Sequence, residues 1–102
     1  MSFRKTGDLI MPQVFKIGSF LVYFWANENK PLEPVHVHIS KGKPAADATK
    51  FWITKTGKCL LANNNSDYDS RTLNYLTKAV EANKDMVIEK WLSFFGEITY
   101  YC

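Results

Sequence analysis

Cysteine is scarce in the 102-residue chain: Cys59 sits in an apolar stretch and Cys102 is the only other one. That excludes the disulfide-dense scaffolds of small secreted domains, and both residues read as reduced thiols, Cys59 as a small buried hydrophobe. Long hydrophobic runs are missing too. The longest candidate, Phe20 to Ala26, has the length of a buried strand and falls far short of the ~18 residues of a membrane span. Asp8 and Pro12 interrupt the region where a signal peptide would need continuous apolar residues. A cytoplasmic protein with no membrane partner is therefore expected. No Gly-rich phosphate loop, G-x-S-x-G elbow or Cys/His zinc framework occurs, so the common enzyme signatures are absent and no cofactor is expected.

What is present argues for a folded domain. A hydrophobic fraction of 46%, with 15% aromatic residues, lets the chain bury enough apolar area to offset its ordering entropy. The length suits one core and not two. The net charge of +3 is unevenly spread: residues 1–60 carry nine basic against four acidic side chains, and residues 61–102 carry four against six. A basic face of this kind is compatible with RNA, DNA or an acidic protein, and equally with an ordinary solvated surface.

Periodicity predicts an α+β fold: an antiparallel sheet of three to five strands followed by two consecutive C-terminal helices packed against it. Residues 1–10 read as an N-terminal extension and 11–102 as a single domain. Val14 to Ile17 and Phe20 to Trp25 are separated by Gly18-Ser19, which favours a hairpin or bend. Both faces of the second run are apolar, as in a central strand. Asn27 to Pro34 reads as a loop. Val35 to Ser40 alternates strictly, with Val35, Val37 and Ile39 on one face and His36, His38 and Ser40 on the other. Thr49 to Thr54 and Lys58 to Ala62 complete a meander about a Thr56-Gly57 turn. Leu73, Leu76, Val80, Val87, Trp91 and Phe95 then recur at helical spacing. Asp69 or Ser70 is suited to cap the start, Asn83 to cap a second helix and Gly96 to close it. Ile98 to Tyr101 is a candidate for a short edge strand.

The chain's two histidines, His36 and His38, are expected to be neighbours on one strand face. Three readings compete: a structural pair beside Trp or Tyr, an acid/base or phosphate-contacting pair, and a metal half-site. A metal would need a third ligand, for which Glu33, Asp47, Asp67 and Asp69 are candidates, and no complete ligand spacing is visible. An imidazole pair could take a proton from a ribose hydroxyl and protonate the leaving oxygen. His38-Ile39-Ser40 matches one half of the paired H-x-S/T pattern of two-histidine phosphoesterases, whose second copy is missing. Lys41, Lys43 and Lys50 could neutralise phosphates, with Trp52 or Tyr23 as a stacking surface, which suits single-stranded RNA. Each has a commoner explanation as solubilising charge or core. Trp91, Phe94 and Phe95 read as packing residues.

Together the aromatic strand around Tyr23, Asn27, Pro34-Val35-His36-Val37-His38-Ile39, Lys41-Gly42, Lys50-Phe51-Trp52-Ile53, Leu61-Ala62, Leu73, Asn83, Trp91 and Phe95-Gly96 resemble the small bacterial family catalogued as domain of unknown function 4160. The resemblance covers nearly the whole chain after Met11, with departures at Lys43 to Thr49 and Asn63-Asn64-Asn65. It implies a stand-alone protein whose gene neighbours a second short gene, an arrangement resembling a type II toxin–antitoxin pair, with this chain on the toxin side. On that reading the expected function is toxic action on RNA or translation. His36 and His38 are then the candidate catalytic residues, with Lys41, Lys50, Trp52 and Tyr23 as candidate contacts to RNA or to an antitoxin protein from the neighbouring gene. The alternatives are a non-catalytic protein-interaction module and a metal-dependent hydrolase on the His36/His38 strand; a shared fold does not choose among them, and the residues alone do not decide whether the protein is an enzyme.

Overall fold

The computed structural model describes residues 12–26 and 31–102. Five strands come first, β1 (Gln13–Ile17), β2 (Phe20–Tyr23), β3 (His36–Lys41), β4 (Thr49–Ile53) and β5 (Cys59–Asn63), followed by α1 (Ser70–Ala82) and α2 (Lys84–Phe95). The strands form one antiparallel sheet in sequence order. This is the expected α+β meander. The N-terminal extension and residues 27–30 of the predicted loop lie outside the described residues.

Turn chemistry fixes the hairpins. Gly18 (φ 57°) and Gly57 (φ 83°) take left-handed backbone angles in the β1–β2 and β4–β5 turns, which a Cβ would oppose. Alternation then sorts the side chains: Val22, Phe24, Val35, Val37, Ile39, Phe51 and Ile53 join Leu76, Val80, Val87 and Trp91 in one core cluster. The strands' apolar parity thus meets the helices' apolar stripe.

The helix ends follow the capping rules in two cases of three. Asp69 Oδ1 accepts the Thr72 N–H at 2.8 Å, and its carboxyl is held below the ordinary range by the bonds from Thr72. Gly96 (φ 74°) closes α2, its N–H donating to the Leu92 carbonyl at 2.9 Å. Asn83 separates the helices as expected, but its side chain makes no cap bond to α2. Its amide donates backward to the Ala79 carbonyl at 2.8 Å, so the side chain serves α1, while the Asn83 carbonyl opens α2 by accepting the Met86 and Val87 N–H groups at 3.1 and 3.3 Å. From that junction α1 lies over β5 and α2 over β1.

The segment after Gly96 is not the edge strand expected from Ile98 to Tyr101: it has no strand structure. It is nonetheless tied down. Val35 N donates to the Thr99 carbonyl at 2.9 Å and Lys55 N to the Cys102 carbonyl at 3.0 Å, while Ile98 and Tyr100 pack against the core cluster. Two isolated bonds make a strap across one end of β3 and β4.

Trp91 anchors the layers. It is fully buried and its ring meets Phe95 at 4.6 Å, Phe24 at 4.9 Å and His36 at 5.2 Å between centroids. Its indole N–H has no hydrogen-bond partner among the described residues, a cost that the ring's burial outweighs. Trp91→Ala is expected to lose about 3–5 kcal/mol by cavity formation, a large share of the ~5–15 kcal/mol of a typical domain. Trp91→Phe, which also removes the orphan donor, is expected to lose clearly less. Urea unfolding of both variants checks this; equal losses would contradict it.

Candidate functional site

On the sheet face that carries the histidines, antiparallel register builds two cross-strand rows. Tyr23 stands opposite His38, His38 opposite Lys50, and Lys50 opposite Asn63; in the adjacent row His36 is opposite Trp52 and Trp52 opposite Leu60. Direct partners place their side chains on the same face. Tyr23, His36, His38, Lys50 and Trp52 are therefore gathered in one place, as the sequence suggested.

Lys41 is not among them. It extends β3 by one residue beyond Ser40 and so falls on the parity of Val37 and Ile39; it is opposite Phe20, with its ammonium 5.7 Å from that ring's centre. The expectation that it stands beside the histidines is corrected by the period of two.

The histidines are adjacent but differ in environment. Their ring centroids are 5.0 Å apart, nearly perpendicular. His36 has 0% exposure and is ringed by Trp52 at 5.7 Å and Trp91 at 5.2 Å. Its Nδ1 lies 2.9 Å from the Pro34 carbonyl oxygen; a carbonyl only accepts, so Nδ1 carries the proton. His38 is half-buried, with Tyr23 at 5.6 Å. The pair therefore offers solvent one imidazole, not two.

The remaining candidates are engaged from within the chain. Tyr23 is fully buried with Leu21 and Ala48; its hydroxyl donates to the Ala45 carbonyl at 3.3 Å and accepts the Ala45 N–H at 3.1 Å. Ser40 Oγ donates to the Lys43 carbonyl. These bonds fold residues 43–48 over one end of the face, and Tyr23 is thereby removed as a stacking surface. Lys50 Nζ lies 2.8 Å from Glu33 Oε1 and 4.3 Å from the centre of the Trp52 ring. Tyr101, from the strap, stacks on Trp52 with centroids 4.8 Å apart and planes 2° from parallel.

Of the carboxylates considered as a third metal ligand, Glu33 is paired with Lys50 and Asp69 with Thr72. Among the described residues no group of three His, Cys, Asp or Glu is placed to hold an ion. Cys59 is no nucleophile: burial first, and the Glu81 carboxylate second, push its thiol up to about 12. An open cleft of about 380 Å³ is lined by Val14, Met86, Glu89, Lys90 and Ser93, none of them a member of the histidine face.

Sequence reasoning missed Tyr101 as a member of the site and Glu33 as the partner of Lys50. Neither contact has a local signature. Replacing the two histidines separately should expose their inequality: His36→Ala opens a cavity and removes a buried bond, an expected loss of about 2–4 kcal/mol, whereas His38→Ala is expected to cost under about 1 kcal/mol. Thermal and urea denaturation measure both. A His38 variant as unstable as the His36 variant would refute the assignment.

No curated protein and no solved structure matches the chain. A family model does, over residues 19–92, from the start of β2 to the Trp91 turn of α2, so that it spans the whole histidine face except the strap. With most of its length inside that match, the chain belongs to the family described as domain of unknown function (DUF4160).

Proposed function

We propose that the protein is the toxin side of a toxin–antitoxin-like pair and that it acts by binding, not by acid–base chemistry from paired histidines. The observation that carries the second half is the burial of His36, whose ring is closed off from solvent and tied through Nδ1 to Pro34. A general base must come within hydrogen-bond reach of the proton it takes. The first half rests on the arrangement implied by the family resemblance, in which a second short gene supplies the partner.

The edge strand β5 suits such a partner. Leu60 and Leu61 are 42% and 41% exposed, and Cys59 to Asn63 carry no charge, whereas the other edge, β1, bears the exposed Lys16. An uncharged edge with exposed leucines accepts an added strand from another chain. Glu81 Oε2 already takes the Cys59 N–H at 2.8 Å, so the added strand would pair beyond that residue.

A second reading, catalysis through His38 alone on RNA, is favoured by its partial exposure opposite Lys50. One set of cultures separates the two. Induced expression is expected to arrest growth, and co-expression of the neighbouring gene's product to relieve the arrest. His38→Ala should still arrest growth, weakened by no more than the loss of one contact, and Leu61→Lys should arrest growth but escape relief. Harmless wild-type expression would end the toxin reading; a folded, harmless His38→Ala variant would move the function to catalysis.

A further inference from the structure

Trp52 and Lys50 share a feature that neither a core nor a solvated face requires: each is held by a group from a distant part of the chain that resembles a fragment of a nucleotide. A phenol ring lies flat on the indole, 4.8 Å away and 2° from parallel. A carboxylate sits on the ammonium at 2.8 Å, and that ammonium is itself 4.3 Å from the centre of the same indole. A base on an aromatic plane beside a phosphate on a lysine is how single-stranded nucleic acid is held.

The two stand-ins are replaceable. Tyr101 is 58% exposed, while its neighbours Ile98 and Tyr100 make the core contacts and the backbone bonds of Thr99 and Cys102 fasten the strap. Swinging the Tyr101 ring away therefore leaves the strap attached. The Glu33 side chain is 42% exposed, and an ion pair with that much solvent is weak enough to exchange a carboxylate for a phosphate. Every nucleobase offers a π face for the same plane, and a purine a larger one than a phenol.

We propose that Trp52 and Lys50 form a binding site for one base and its phosphate in single-stranded RNA, kept self-occupied by Tyr101 and Glu33. His38, half-buried and directly opposite Lys50, is placed to bond the 2′-hydroxyl, the group that separates RNA from DNA. An unstacked strand is required because the base must lie on the indole face. The proposal rests on the binding reading above and deepens it by naming the target; the β5 edge takes no part.

The test is fluorescence anisotropy of a short, labelled oligoribonucleotide of mixed sequence, titrated with the full chain. The same oligodeoxyribonucleotide and free uridine monophosphate serve as competitors. Tyr101→Ala and the double variant Tyr101→Ala/Glu33→Gln are expected to bind about tenfold tighter than wild type, as removal of a competing intramolecular occupant would produce. Adding Trp52→Leu should abolish the gain, with circular dichroism confirming that each variant is folded. Unchanged affinity after Tyr101→Ala, or a gain that survives Trp52→Leu, would overturn the proposal. Equal competition by the deoxy strand would overturn its assignment to RNA, and full competition by the free nucleotide its assignment to a strand. Growth arrest relieved through β5 would persist under any of these failures, which keeps the two readings separable.

Discussion

Burial of β3 on both faces is the constraint from which the rest follows. Val35, Val37 and Ile39 fill the core beneath the helices, and on the opposite face His36 and Ser40 are as enclosed as an apolar residue would be. A central strand with polar side chains on its second face must find partners for them, because a buried polar group without one is costly. The Pro34 carbonyl serves His36, the Lys43 carbonyl serves Ser40, and Ala45 serves the neighbouring Tyr23. The loops flanking β3 thus fold where they do in answer to the polar atoms that the strand presents.

The same requirement reshapes the chemistry of the face. A histidine pair exposed on a sheet is a reactive prospect; a pair in which one ring is walled in by Trp52 and Trp91 is chiefly a packing unit. Lys50 and Trp52, two residues apart on the same side of β4, form the part of the face whose contacts come from exposed groups, Glu33 and Tyr101. Function is more reasonably sought at such yielding contacts than at His36, whose loss the core would register first.

The sequence made the elements legible because periodicity is a local property. The alternation in β3, the stripe from Leu76 to Trp91, Asp69 at the head of α1 and Gly96 at the foot of α2 could all be read within a few residues. The parity that puts Lys41 on the helix side was present as well, and was hidden by ending the strand one residue early at Ser40. Alternation assigns a residue to a face but says nothing of what covers that face, so the enclosure of His36 was illegible. The stack of Tyr101 on Trp52 joins positions far apart in the chain and leaves no pattern in either neighbourhood. Asn83 shows a subtler limit: its identity marked the break between helices, yet its amide turned back to Ala79 and served the helix behind it.

That junction has a mechanical meaning. The two edges of the sheet, β1 and β5, share no hydrogen bond and are separated by three strands. Each, however, lies under one of the helices, and those helices are joined by the single residue Asn83. The helix pair is a yoke across the sheet. With one residue between them and no loop, the two helices are tied end to end, so the sheet's opposite edges are linked through the layer above them as well as through the strands between.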